Sequence, residues 1–353
     1  MQYRSTRGSK ENTLTAPQAI IQGLAQDGGL YVPVAFPQAN FKLEDLSKLS
    51  YKQIAAMVIS LFFDDFTKEQ ITTAVQSAYS EQWDDRSIVP IEKHDNHFYM
   101  ELFHGPTLAF KDIALQMLPQ LMTRAVQIEK IDKDIIILTA TSGDTGTASM
   151  RGFANQKGTD VIVFYPEGGV SPVQLKQMLS QRGNNLRAIA IKGNFDDAQT
   201  EVKKIFNNDS FKNRLNANGY QFSSANSMNI GRLVPQISYY LYTYGQLVRR
   251  QEIKLGDEVN FAVPTGNFGD ILAGYYAKKL GLPIKKLICA SNENNVLTDF
   301  FNNGVYDKRR KFHLTNAPAM DILVSSNLER LLFDLYGENN YEVASLMLSL
   351  IHI

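Results

Sequence analysis

The stretch "DIIILTATSGDTGTAS", residues 134–149, decides the fold. Ile135 to Leu138 form a short, branched apolar run that suits a buried strand. Behind it come small hydroxyl side chains with Gly143 and Gly146, and the chain then resumes a helical pattern. A strand that runs through a glycine-bearing loop directly into a helix is a building unit of parallel sheets.

The same texture recurs outward from this point. Candidate strands are "FYMELF" (98–103), "DVIVFYP" (160–166), "LRAIAIKG" (186–193), "YQFSSAN" (220–226), "VNFAVPTG" (259–266) and "KKLICAS" (285–291), separated by helix-length segments. Their alternation with helices predicts parallel sheets with helices on both faces. Helix punctuation agrees. Ser171, Pro172 and Gln174 open "SPVQLKQMLSQRG" as N-cap, first helical residue and capping-box partner, with Gly183 expected just past its end. "FGDILAGYYAKKLG" likewise ends on Gly281. Before residue 93 the chain reads as helical, because Ser50 with Gln53 and Thr67 with Gln70 form capping boxes ahead of "YKQIAAMVISLFF" and "KEQITTAVQSAYSEQW".

The 353 residues exceed one small core, so two domains and a flanking segment are expected. The division drawn is an N-terminal helical segment over 1–92, a larger domain from 93–133 and 229–353, and a smaller α/β domain over 134–228. Lysine plus arginine total 36 and aspartate plus glutamate total 36, a balance that carries no nucleic-acid or membrane footprint. The N-terminus "MQYRSTRGSKEN" has no apolar signal core, and "IAAMVISLFF" is too short to span a bilayer, so a soluble cytoplasmic protein is expected. Cys289, the single cysteine, reads as a strand residue in "KKLICAS". His94 and His97 lack a third ligand, and no metal site is expected.

Ligands of open parallel sheets sit at the carboxyl ends of strands, where the next helix presents free N–H groups. Two loops there combine glycines with small polar side chains: "TATSGDTGTAS" (139–149) and "PTGNFGD" (264–270). Neither matches a Walker loop or a dinucleotide fingerprint. Gly266, Asn267, Phe268 and Gly269 at a helix start suit a phosphate-bearing cofactor. A lysine, Lys111, follows "HGPTLAF" and precedes an apolar helical pattern. An amine in such a pocket loses its charge readily and suits Schiff-base chemistry with pyridoxal phosphate, which needs an anion site as well.

With these parts assembled, the sequence resembles the threonine synthases, of the longer type found in yeasts and many bacteria. The stretches that carry the resemblance are "YRSTRG" (3–8), "IIQGLAQDGGLYVP" (20–33), "FHGPTLAFKDIALQ" (103–116), "TATSGDTGTAS", "VSPVQLKQM" (170–178), "NSMNIGRLVPQ" (226–236) and "VPTGNFGD" (263–270). The resemblance implies the fold of the type II pyridoxal-phosphate enzymes, similar to the tryptophan synthase β chain: an α/β protein with two parallel-sheet domains. It implies a lyase of threonine biosynthesis that turns O-phospho-L-homoserine and water into L-threonine and phosphate by γ-elimination and β-addition of water, with pyridoxal 5′-phosphate as cofactor.

On the same resemblance Lys111 is the Schiff-base lysine, and Gly266, Asn267, Phe268, Gly269 and Asp270 hold the cofactor phosphate. Thr141, Ser142, Gly143, Asp144 and Thr145 receive the substrate carboxylate, although many relatives in the wider fold carry asparagine where Asp144 stands. Asn226, Ser227, Asn229 and Arg232 are assigned to substrate binding, with an exposed helix cation as the competing reading of Arg232. His104 reads as a hydrogen-bonded core histidine. The resembling enzymes are longer, and in their fold a serine or threonine near the C-terminus usually meets the pyridine nitrogen. None is identified here, so a C-terminally truncated chain is expected. Alternatives are another pyridoxal-phosphate lyase, such as a serine or threonine dehydratase or a phospholyase, or a cofactor-binding remnant without turnover.

Overall fold

A computed structural model describes residues 1–193 and 195–352. The N-terminal segment contains β1 (Gln2–Ser5), β2 (Leu14–Thr15), α1 (Ala16–Gln22), β3 (Tyr31–Pro33), α2 (Tyr51–Phe62) and α3 (Lys68–Ala78). Both expected capping boxes form, with Ser50 and Thr67 accepting from the N–H of Gln53 and Gln70 while those side chains reach back. A third, Thr15 with Gln18, opens α1. The segment is not helical alone: β2, β1 and β3 form an antiparallel sheet in that order. These strands are very short, which hid them from an apolar-run reading.

A hairpin of β4 (Ile91–His94) and β5 (His97–Met100) follows, and here "FYMELF" departs from expectation. It pairs antiparallel with its neighbour through a two-residue turn in which Asp95 takes a left-handed conformation. The hairpin turn, carried by Asp95 and Asn96, fixes that pairing locally, and no parallel partner is needed. His94 and His97 face each other as the pair that closes the turn.

The chain then runs through α4 (Asp112–Ile128), β6 (Asp134–Ala140), α5 (Asp144–Phe153), β7 (Thr159–Pro166), α6 (Pro172–Leu179), β8 (Leu186–Ile191), α7 (Phe195–Phe206), α8 (Asp209–Ala217) and β9 (Tyr220–Ser224). The four strands form a parallel sheet in the order β8-β7-β6-β9. Strand alternation divides β6 between two cores: Ile135 and Ile137 join the main core, while Leu138 and Ala140 join a smaller cluster with Ala198, Val202 and Phe206 of α7. Helix α6 stops at Leu179, short of Gly183, and Asn185 pins the following turn by donating to the carbonyls of Phe153 and Thr159.

The remainder comprises α9 (Ile230–Arg249), β10 (Val259–Pro264), α10 (Gly269–Lys279), β11 (Ile284–Ala290), α11 (Val296–Asn303), α12 (Leu328–Leu335) and α13 (Asn340–His352). Strands β10 and β11 form a parallel pair. Helix α9 is buried from Ile230 to Leu247 and packs against α1, α2, α4 and α10, so it is the axle of the molecule. Among the described residues no helix is long and apolar enough to cross a membrane.

The crossing of α4 and α5 matters most for the site, because Lys111 caps one helix and Asp144 begins the other. A Cβ on Gly152 would overlap the Leu115 carbonyl oxygen and would lie 3.3 Å from Pro119. Gly152→Ala is therefore expected to force the helices apart and lower stability by about 1–3 kcal/mol. Urea unfolding checks this through a lower midpoint at unchanged slope; an unchanged midpoint would show that the crossing tolerates the methyl group.

Candidate active site

Lys111 owes its position to the residue after it. The Asp112 carboxylate accepts hydrogen bonds from the N–H and the hydroxyl of Thr107, each 2.8 Å, which folds residues 107–112 into a tight loop at the start of α4. Gly105 lets this carboxylate close in, since a Cβ there would stand 2.5 Å from that of Asp112. Burial pushes the Asp112 carboxyl up to about 6, against the Thr107 hydrogen bonds that hold it down. Leu108, within the loop, is left-handed and exposed.

The loop delivers the Lys111 side chain, only 10% exposed, to the end of β6, where Nζ lies 3.4 Å from Asp144 Oδ2. Burial lowers its pKa, Asp144 opposes the shift, and the Arg232 charge adds to it; the net direction is downward. A lysine in this state supplies a neutral amine more readily than one in water.

The loop around Asp144 is shaped by Thr141, whose hydroxyl accepts from the N–H groups of Gly143 and Gly146 at 2.9 Å each. Gly143 takes a φ of 144°, closed to other residues without strain. The second Asp144 oxygen accepts from the side-chain amide of Gln174 on α6. Sequence reading made Gln174 the back-bonding partner of a capping box; in the structure the Ser171 hydroxyl still accepts from the Gln174 N–H at 3.3 Å, but the side-chain amide nitrogen turns to Asp144 instead. A glutamine at the third helical position carries no mark of which partner it takes. Ser142 is half-buried and makes no hydrogen bond among the described residues, and Thr145 is buried.

After β9 the chain presents Asn226, Ser227, Asn229 and Arg232. Asn226 bridges to both backbone groups of Ala140, clipping the end of β9 to that of β6. Asn229 caps α9 by accepting from Gly231 N–H, and its amide donates to the carbonyls of Ile20 and Ser224, which spends both donors on the scaffold. Ser227 is half-buried with no partner among the described residues. Arg232 is buried, not the exposed cation of the competing reading, and burial lowers its pKa to about 10. Its one hydrogen bond among the described residues goes to the Ala225 carbonyl at 3.0 Å, which leaves most of its five donors uncommitted.

The "PTGNFGD" loop runs from β10 into α10. Phe268 takes the left-handed conformation immediately before the helix, a shape that gathers successive N–H groups into an anion-binding concavity. The Asn267 side-chain oxygen is buried without a partner, and a buried polar atom left so costs about 1–3 kcal/mol until a ligand supplies one. Together with the buried amine of Lys111 this fits pyridoxal phosphate: the orphaned oxygen is an acceptor that the ring hydroxyl of such a cofactor can meet, and the N–H groups of the loop suit its phosphate. Asp270 does different work: its carboxylate accepts from the hydroxyls of Tyr239 and Tyr240 on α9, joining two helices, and burial raises its pKa.

His104 has both ring nitrogens engaged, Nδ1 with Asp84 at 2.6 Å and Nε2 with Glu101 at 2.8 Å. Burial disfavours its charge, but the two carboxylates outweigh burial and raise its pKa.

Comparisons with known proteins show the family. Residues 2–79 match the family described as "Threonine synthase N terminus", and residues 90–347 match "Pyridoxal-phosphate dependent enzyme". A threonine synthase of Saccharomyces cerevisiae is 40% identical over 351 residues, covering 95% of this chain and 66% of its own length, so this chain spans just under two thirds of that relative. For a threonine synthase of Pseudomonas aeruginosa the figures are 40% identity, 98% of this chain and 71% of the relative. The solved structure of a pyridoxal-phosphate-bound threonine synthase from Brucella melitensis superposes with a TM-score of 0.87 at 40% identity, covering 99% of this chain and 73% of that one. The resemblance read from the motifs thus holds along almost the whole sequence, and the chain belongs to the threonine synthase branch of the pyridoxal-phosphate-dependent enzymes.

Proposed function

We propose that this chain converts O-phospho-L-homoserine and water to L-threonine and phosphate in the cytoplasm, holding pyridoxal 5′-phosphate between Lys111 and the Gly266–Gly269 loop. The observation that carries the reading is Lys111 itself: a buried lysine of lowered pKa, 3.4 Å from one carboxylate and under the field of a buried arginine. When bound, the cofactor supplies an aldehyde carbon for attachment of amines and a conjugated ring that accepts electron density from the neighbouring carbons.

The residues divide the remaining work. Lys111 would hold the cofactor through its neutral amine and, when that amine is free, would take the proton from the substrate α-carbon as general base. Asp144 gives that proton a nearby resting charge, and Gln174 fixes the rotamer of Asp144. Ser142 and Thr145 offer donors to the substrate carboxylate, while the Gly143 N–H, already given to Thr141, holds the loop that presents them. Arg232 and Ser227 offer theirs to its phosphate, which would leave the γ-carbon with the bonding pair as a proton is lost from the β-carbon, before water adds at the β-carbon. Thr141, Asn226 and Asn229 serve by holding those donors in place.

Lys111→Ala is expected to lower turnover by about a thousandfold or more. Borohydride reduction followed by peptide mass analysis should find the cofactor on residue 111 of the parent chain and nowhere in the variant. A retained adduct would move the attachment to another lysine. Product analysis with O-phospho-L-homoserine should yield threonine, and a ketoacid with ammonia would instead make this a different lyase.

The charges around Lys111 also predict two opposite shifts. Asp144 favours the protonated amine and Arg232 disfavours it, so attachment of cofactor to the apo-chain, which needs the neutral amine, rises with pH through the Lys111 pKa. Asp144→Asn is expected to move that rise to lower pH, and Arg232→Leu to higher pH. Stopped-flow absorbance at several pH values measures both, and shifts of the same sign would show that the two groups do not act on Lys111 as charges.

A further inference from the structure

The segment "SSNLER" at 325–330, which leads into α12, carries no motif of its own, yet it holds the back of the "PTGNFGD" loop. The Ser325 hydroxyl donates to the Gly266 carbonyl at 2.6 Å. Asn327 donates to the Asn267 carbonyl twice, from its backbone and from its side chain, each at 3.1 Å. In a planar trans peptide the carbonyl oxygen and the amide hydrogen point in opposite directions. Drawing the Gly266 carbonyl to Ser325 therefore turns the Asn267 N–H away from this segment, and drawing the Asn267 carbonyl to Asn327 turns the Phe268 N–H likewise. Neither N–H meets an acceptor among the described residues.

The brace has its own support. Arg330 is fully buried and spends each guanidinium nitrogen on a different element: Nη1 on Asn327 Oδ1, Nε on the Tyr31 carbonyl at 3.0 Å, and Nη2 on the Met228 carbonyl at 2.7 Å. Beside it the buried Glu329 accepts from Thr6 at 2.5 Å and from Arg7 at 2.8 and 2.7 Å, so the "YRSTRG" motif anchors the same turn.

We propose that Ser325, Asn327 and Arg330 are positioning residues that aim the Asn267 and Phe268 N–H groups at the cofactor phosphate, with the N-terminal strands as their fixed support. This rests on the assignment of the loop to that phosphate under Proposed function. In this role the three residues act through the orientation of two peptides and not on the phosphate itself.

The test compares binding of pyridoxal 5′-phosphate with binding of pyridoxal, which keeps the aldehyde and lacks the phosphate, by fluorescence titration of the apo-chain. Asn327→Ala is expected to weaken the phosphorylated ligand by about tenfold while pyridoxal stays within about twofold, so the ratio of affinities collapses. Equal losses for both ligands, as a merely structural role would give, overturn the proposal, as does no loss. Should Asn327→Ala not fold, Ser325→Ala is expected to lower the ratio in the same direction and carries the test. Gly266→Val, whose Cβ would lie 2.6 Å from the Ala319 carbonyl oxygen, displaces the loop directly. A ratio unmoved by Gly266→Val overturns the loop assignment itself, whereas a ratio moved by Gly266→Val but not by Asn327→Ala or Ser325→Ala overturns only the positioning role.

Discussion

Everything in the site follows from the cost of burying an amine. Desolvation pushes Lys111 toward its neutral form, and the nearby charges of Asp144 and Arg232 pull in opposite directions. A lone carboxylate would pin the ammonium in place; a lone guanidinium would favour loss of its charge too far from any proton acceptor. The combination leaves an amine that can hold or release a proton with little rearrangement. Its geometry is set at a distance, because the α4–α5 contact at Gly152 and Leu115 brings Lys111 and Asp144 within 3.4 Å.

Much of the scaffold exists to keep polar backbone groups turned the right way. Thr141 gathers two amides at one end of the site, Asn226 clips two strand ends together, and Ser325 with Asn327 restrains two carbonyls at the other end. Each uses a short side chain whose own entropy loss on ordering is small beside that of lysine or arginine. Arg330 is the exception, and its three carbonyl and amide partners explain why a long side chain is tolerated in a buried position.

The fold was legible where local rules suffice. Capping boxes at Ser50 and Thr67 and the strand–loop–helix unit at 134–153 appear as their residues predict, and Gly281 follows α10 with the expected positive φ. The antiparallel N-terminal strands were not legible, since two to four residues hold too little pattern. In the site, residue types were readable but partners were not. Gln174 satisfies a helix-start rule and yet serves Asp144 from another helix. Asn229 sits in a loop that looks made for ligands, but its amide is consumed by Ser224 nearby and by Ile20, a contact across more than two hundred residues. Asn327 and Arg330 lie some sixty residues past the loop they brace, beyond the reach of any spacing argument.

The strand order β8-β7-β6-β9 has a further consequence. From β6 the chain winds outward through β7 and β8, then returns to add β9 on the opposite side, so β6 is the topological switch point of this sheet. A crevice opens there by winding alone, before any side chain is chosen. The Thr141–Thr145 loop leaves β6 into that crevice, so changes of substrate preference can proceed by exchanging loop residues while the location of the chemistry stays where the topology puts it.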